Sequence, residues 1–129
     1  MKYVIDSFSW IEYLIASSKG AKIKEIIESE SNEIYTSIIS IAEIASITKR
    51  ENRDVEEADK TINRLSKIYA INPEFAKEAG ILHAEIRKDI KDFGLADAII
   101  LLAARKLVAR VLTGDPHFQS FKEAILIKD

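Results

Sequence analysis

Short, strand-like apolar runs alternate along this chain with longer stretches whose apolar residues recur at helical spacing. KYVI (2–5) reads as a strand and FSWIEYLIA (8–16) as a helix, with Ser9 and Glu12 spaced as a capping box. GAKIKEIIESE (20–30) predicts an amphipathic helix with Ile23, Ile26 and Ile27 inward. EIYT (33–36) is a short strand leading into a helix over 38–50. Beyond the polar break RENRD, a helix over 55–68 turns Ala58, Ile62 and Leu65 inward, and YAIN (69–72) forms a strand closed by Pro73. A long helix over 74–91 carries Phe75, Ala79, Leu82 and Ile86 on one face, and Gly94 opens another. RVLT (110–113) is a strand, DPHF begins a short helix with Pro116 at its first position, and AILI (124–127) is a last strand.

The order βααβααβααβαβ places helices between strands and contains no tight-hairpin signal. It predicts an α/β fold, a central parallel sheet of four to five strands flanked by helices on both faces. With 129 residues the chain reads as one domain, 1–129. A composition 47% hydrophobic and 31% charged excludes a disordered chain. No apolar run approaches the ~18 residues of a membrane span, and MKYVIDSFSW lacks the apolar core of a signal peptide. The expected location is the cytoplasm, with no membrane partner. Cysteine is absent, so a metal would be held by oxygen or histidine. Abundant Ile, Lys and Glu with a single Gln, Gln119, resemble a thermophile's composition.

GLADAIILLAA (94–104) poses a chemical question, because its one charged residue is Asp97. An ionised carboxylate in so apolar a segment is costly unless a partner or a cation meets it. Two further acids stand where a parallel sheet binds ligands, at the carboxyl ends of its strands, and a third sits on a helix that follows that rim. Asp6 follows KYVI, Asp115 follows RVLT after Gly114, and Glu43 is the lone acid of the apolar stretch SIISIAEIASI (37–47). Each has an ordinary structural explanation. Asp6 and Asp115 suit helix N-caps, Glu43 a capping box with Ser40, and Asp97 the positive end of its helix dipole. Together, four carboxylates in one pocket would repel one another unless a hard divalent cation, Mg²⁺ or Mn²⁺, joined them.

The segments VIDSFSWIEYL (4–14), TSIISIAEI (36–44), GLADAIILLAAR (94–105) and VLTGDPHF (111–118) resemble the four signature segments of PIN-domain nucleases, especially VapC-type toxins of prokaryotic toxin–antitoxin pairs. The resemblance implies a Mg²⁺- or Mn²⁺-dependent ribonuclease whose acidic quartet is Asp6, Glu43, Asp97 and Asp115. Ser7 and Thr113 match hydroxyl residues that hold carboxylates or waters, and Phe118 matches an apolar anchor beneath the last acid. It further implies an RNA substrate, a cognate antitoxin and a homodimer. His117 falls where relatives vary, so a fifth ligand is left open. His83 is expected to pack or face solvent, and Asp89 and Asp92 to lie on a solvated helix end.

The net charge is −2, from 19 basic and 21 acidic residues. If four of the 21 acids serve a metal, 17 remain against the 19 cations. That balance fits weak non-specific RNA binding. Lys49, Arg50 and Arg53 are candidates for phosphate contact, although an ordinary solvated helix end, where cations are favoured, explains them better. Trp10 suits either a dimer face or the core. A dehalogenase-like phosphatase would want an acid two residues after Asp6, where Phe8 stands, and a receiver domain would want a lysine after VLTG. A housekeeping RNA-processing nuclease of the same fold, or a non-catalytic RNA- or protein-binding module, remains an alternative that a cleavage assay separates.

Overall fold

Strand β1 (Lys2–Ile5) runs through the middle of a sheet ordered β3-β2-β1-β4-β5, with β2 at Glu33–Ser37, β3 at Lys67–Tyr69, β4 at Arg110–Thr113 and β5 at Ala124–Leu126. The computed structural model describes residues 1–128, and every strand pairing in it is parallel. Val4 lies opposite Val111 and Ile5 opposite Leu112. Because side chains alternate across a strand, those two pairs serve opposite faces of the sheet. Val4 and Val111 pack with Ala98, Leu101, Ala104, Phe93 and Phe118. Ile5 and Leu112 pack with Trp10, Ile23, Ile27, Ile34 and Ile44. Both faces are buried, as a parallel sheet requires.

The crossovers are α1 (Ser7–Leu14) and α2 (Ser18–Ile27), α3 (Ile38–Arg50) and α4 (Val55–Leu65), then α5 (Pro73–Ile86) and α6 (Leu95–Leu107). The predicted element order is the observed one, and the differences lie at the ends of elements. The box of Ser9 and Glu12 does not form. Asp6 caps α1, while Ser9 lies inside the helix and donates its hydroxyl to the Leu112 carbonyl at 3.0 Å. Helix α4 stops at Leu65 because Ser66 turns extended, bonding Ile62 O and sharing a 2.7 Å bond with Thr36 Oγ1. The third strand therefore begins at Lys67, two residues before the expected start, and Asn72 is free to cap α5. Helix α5 ends at Ile86, short of the expected 91, and Phe93 plunges into the core beyond it. His83 on α5 meets the Phe93 carbonyl through Nε2 at 2.9 Å. Trp10 is wholly buried and donates its indole N–H to Thr36 Oγ1, so it belongs to the core. No helix among the described residues is long and apolar enough to cross a membrane.

Two glycines test the helix packing in opposite directions. An alanine Cβ at Gly20 in α2 would stand 2.2 Å from the Glu12 carbonyl oxygen of α1, a backbone atom that cannot step aside. At Gly80 in α5 a Cβ would meet nothing within 4 Å. Gly20→Ala is expected to destabilise by about 1–3 kcal/mol through overpacking. Gly80→Ala is expected to stabilise by about 0.5–1 kcal/mol, because glycine is a poor helix residue. Urea midpoints of the two variants beside the parent check both signs.

Candidate active site

The strand order reverses between the parallel neighbours β1 and β4: β2 and β3 extend from one side of β1, and β4 and β5 lie on the other. Such a switch point leaves a crevice outside the carboxyl ends of the two strands. Asp6 follows one of them and Asp115 the other. Asp6 is 6% exposed. Its Oδ1 accepts the Ser9 amide at 2.8 Å, and its own N–H donates to Leu112 O at 3.2 Å, tying the acid to β4. Asp115 Oδ1 accepts the His117 amide at 2.8 Å and faces His117 Nδ1 at 2.9 Å. Thr113, fully buried at the end of β4, joins the two acids. Its hydroxyl oxygen accepts the Asp115 amide at 2.9 Å, and its side chain also bonds Asp6.

The other two acids approach on helices. Asp97 is the third residue of α6, and its Oδ2 accepts the Gly94 amide at 3.1 Å. Glu43 stands on the exposed side of α3, where Ser7 Oγ donates to its Oε1 at 2.5 Å. The apolar stretch that carries Glu43 is not buried all round: Ile38, Ile39 and Glu43 are all exposed. Its box with Ser40 is also absent, because Ser37 caps α3. Ser40 Oγ is buried without a hydrogen-bond partner. The N-cap explanations of Asp6 and Asp115, in contrast, are realised in the hydrogen bonds above, and Asp97 lies in the first turn of α6, as its helix-dipole explanation requires.

Capping and a shared pocket are compatible, and the electrostatics connect the four acids. Burial pushes the Asp6 carboxyl up to about 6, against hydrogen bonds from Thr113 and Ser9 that favour the charge, and Asp97 raises it further. Asp97 is also held above the usual carboxylate range. Burial is the largest cause, the Gly94 amide opposes it, Asp115 and Glu43 raise it, and His117 lowers it. Asp97 therefore feels every other member of the quartet. The apolar helix that carries it delivers one negative charge to a crevice that already holds negative charge.

As the side chains stand, no group of three or more His, Cys, Asp or Glu residues that could hold a metal ion forms among the described residues. Their chemistry nonetheless suits a hard divalent cation. The donors are all carboxylate oxygens, and Asp97 Oδ1, Asp115 Oδ2 and Glu43 Oε2 enter no hydrogen bond among the described residues. Each carboxylate is thus anchored through one oxygen with the other uncommitted. Phe118, the expected anchor, is fully buried against Phe93 and Phe121. Lys49 and Arg50 end α3, away from this edge of the sheet, and Arg53 lies 3.8 Å from Glu51.

Phe8, which enters the sequence argument only as the residue standing where a phosphatase would want an acid, is 40% exposed in the first turn of α1. Its ring lies against Gly114, where an alanine Cβ would fall 2.2 Å from Cε1. Gly114, set between Thr113 and Asp115, was the available signal of that close approach.

This arrangement belongs to a known family. Residues 3–124 match the PIN domain, and the chain is a member of that family. Its fold is that of VapC-type toxins. It superposes on a toxin–antitoxin complex from Klebsiella pneumoniae with a TM-score of 0.77 at 19% identity, covering 98% of each chain. VapBC2 from Rickettsia felis, bound to a DNA fragment from its promoter, gives 0.71 at 18% identity, covering 98% of this chain and 97% of that one. VapC20 of Mycobacterium tuberculosis, described as a sarcin–ricin loop cleaving toxin, gives 0.70 at 16%, covering 94% and 97%. Among curated proteins, none matches this sequence.

The raised pKa of Asp6 has a stability consequence of definite sign. Against an ordinary value of 3.8, the folded protein binds the Asp6 proton more tightly than the unfolded chain does. The stability this contributes is fully present below pH ~4 and lost as pH rises through about 6. Asp6→Asn retains a capping oxygen. In chelator it is expected to stabilise the protein at pH 7 by on the order of 1–3 kcal/mol, with the gain vanishing near pH 4. Urea unfolding at the two pH values measures it, and destabilisation at pH 7 would contradict the burial argument.

Proposed function

We propose that this PIN-domain protein is a metal-dependent ribonuclease that hydrolyses RNA phosphodiester bonds and acts as the toxin of a toxin–antitoxin pair. The observation that carries the reading is the placement of Asp6 and Asp115 at the ends of the adjacent strands β1 and β4, both bonded to Thr113, with Asp97 and Glu43 brought to the same edge on α6 and α3. Asp6, Asp97 and Asp115 are the ligands of Mg²⁺ or Mn²⁺, directly or through water, and Glu43 is a ligand or positions a water. A divalent cation bound there supplies a water of lowered pKa and neutralises charge on the phosphate. Ser7 holds the Glu43 carboxylate in one orientation, and Thr113 fixes the spacing of Asp6 and Asp115. The backbone amides of Ser9, Gly94 and His117 each occupy one oxygen of an aspartate, which leaves the carboxylates rigid and directional.

The toxin reading draws on the family and on neighbours described as toxin–antitoxin complexes, among them a FitAB complex bound to DNA. A cognate antitoxin is the expected protein partner, a homodimer the expected assembly and the cytoplasm the expected site of action.

The test is cleavage of labelled RNA with Mg²⁺, with Mn²⁺ and with chelator, comparing the parent with Asp97→Asn. Cleavage is expected only with metal, and the substitution is expected to lower it by on the order of 10²-fold or more. Calorimetric binding of Mn²⁺ should weaken in parallel. A variant that cuts as fast as the parent would make Asp97 a capping residue alone. Absence of both cleavage and metal binding in the parent would remove the nuclease reading.

A further inference from the structure

Phe8 is a large apolar side chain left in solvent at the edge of an acidic crevice, where burial of carboxylates is the dominant constraint. Trp10, two residues later on the same helix, is by contrast wholly buried. Phe8 instead lies across the switch point, on the Gly114 backbone, with Cε1, Cδ1 and Cζ at 2.2, 2.6 and 3.0 Å from the position a Cβ would take. Any residue other than glycine at 114 would push the ring away. The aromatic ring is thereby placed between the turns that carry Asp6 and Asp115, the acids that end the two central strands. The Lys19 ammonium of α2 stands over it, 5.3 Å from the ring centre.

We propose that Phe8 is a stacking platform for an unpaired base of the RNA substrate, beside the phosphate held at the carboxylates. The inference rests on the ribonuclease reading above and specifies how that site grips its substrate. Carboxylates and metal engage a phosphate, which is identical at every nucleotide and carries no positional information. A half-exposed aromatic ring beside them offers what phosphate contacts lack: a flat surface for a base turned out of its helix. The Lys19 ammonium beside the ring makes the edge of that surface cationic. The chain as a whole is acidic, so affinity has to come from a few local contacts of this kind.

The experiment uses the cleavage-deficient Asp97→Asn protein with Phe8→Leu, Phe8→Ala and Phe8→Tyr added singly. The probe is a labelled oligoadenylate carrying 2-aminopurine, titrated in Mg²⁺. Leucine and alanine are expected to weaken RNA binding by about 5- to 150-fold, whereas tyrosine retains it. Quenching of 2-aminopurine on binding, a signature of stacking, should persist with Phe and Tyr and disappear with Leu. Mn²⁺ binding by Phe8→Leu in the Asp97 background that is otherwise native should equal the parent's, which separates a lost platform from a damaged site.

Equal RNA affinity and equal quenching in Phe8→Leu would overturn the proposal. So would a loss confined to binding of a partner protein, which would assign Phe8 to a protein interface. If the native protein cleaves RNA and Phe8→Leu cleaves with unchanged KM and kcat, the platform alone is wrong. If the native protein neither binds nor cleaves RNA, the ribonuclease reading falls and this inference with it.

Discussion

Asp6 ends the central strand of the sheet and is buried there as a carboxylate, and much of the surrounding architecture can be understood as the means of keeping it there. A buried acid is tolerated when fixed donors meet it. The Ser9 amide comes from the first turn of α1, so the helix must start immediately after the strand. The Thr113 side chain comes from β4, so β4 must pair directly with β1. The Ser9 hydroxyl then reaches the Leu112 carbonyl and fastens α1 to that same strand. Sheet order, helix start and hydrogen bonding at the crevice are thus coupled through one side chain.

The donors reduce the penalty without cancelling it, since burial still leaves Asp6 at about 6. Asp97 intensifies the conflict. It enters from α6, whose remaining residues are committed to the core: Ala98, Ile100, Leu101 and Ala104 pack against Val4 and Val111. The helix cannot rotate to move its acid away without exposing that face. Packing on one side of the sheet therefore fixes a charge at its edge, and repulsion at the edge is sustained by hydrophobic burial elsewhere. A site that costs the free protein stability is what a cation-binding pocket requires, because binding then relieves the repulsion.

The sequence made the element order legible because β-rich runs and helical periods alternate with few ambiguous stretches. It also made the four acids legible, because lone charges in apolar surroundings stand out, and each falls at the end of a strand or early in a helix. Helix and strand ends were less legible. Ser66 ends α4 through contacts with Ile62 and with Thr36 on another strand, and only the second of these needs the tertiary fold. Ser9 had the spacing of a cap and a hydroxyl to match, but a better-placed acceptor on β4 captured it. The exposure of Glu43 could not be read from α3, since the apolar residues Ile38 and Ile39 beside it remain in solvent.

Those exposed residues share a location that the pattern of hydrophobicity conceals. Phe8, Ile38, Ile39 and Leu95 lie in the first turns of α1, α3 and α6, the helices that present Ser7, Glu43 and Asp97. An apolar residue at such a turn is indistinguishable in sequence from one turned inward, because the turn sits where core ends and crevice begins. The close approach of Phe8 to Gly114 resolves the ambiguity at one position, since it joins residues more than 100 apart in the chain. In the proposed ribonuclease the acids fix where a phosphate would sit. The apolar side chains around them fix what can stand beside it, and that second constraint emerges only when the strand ends are brought together.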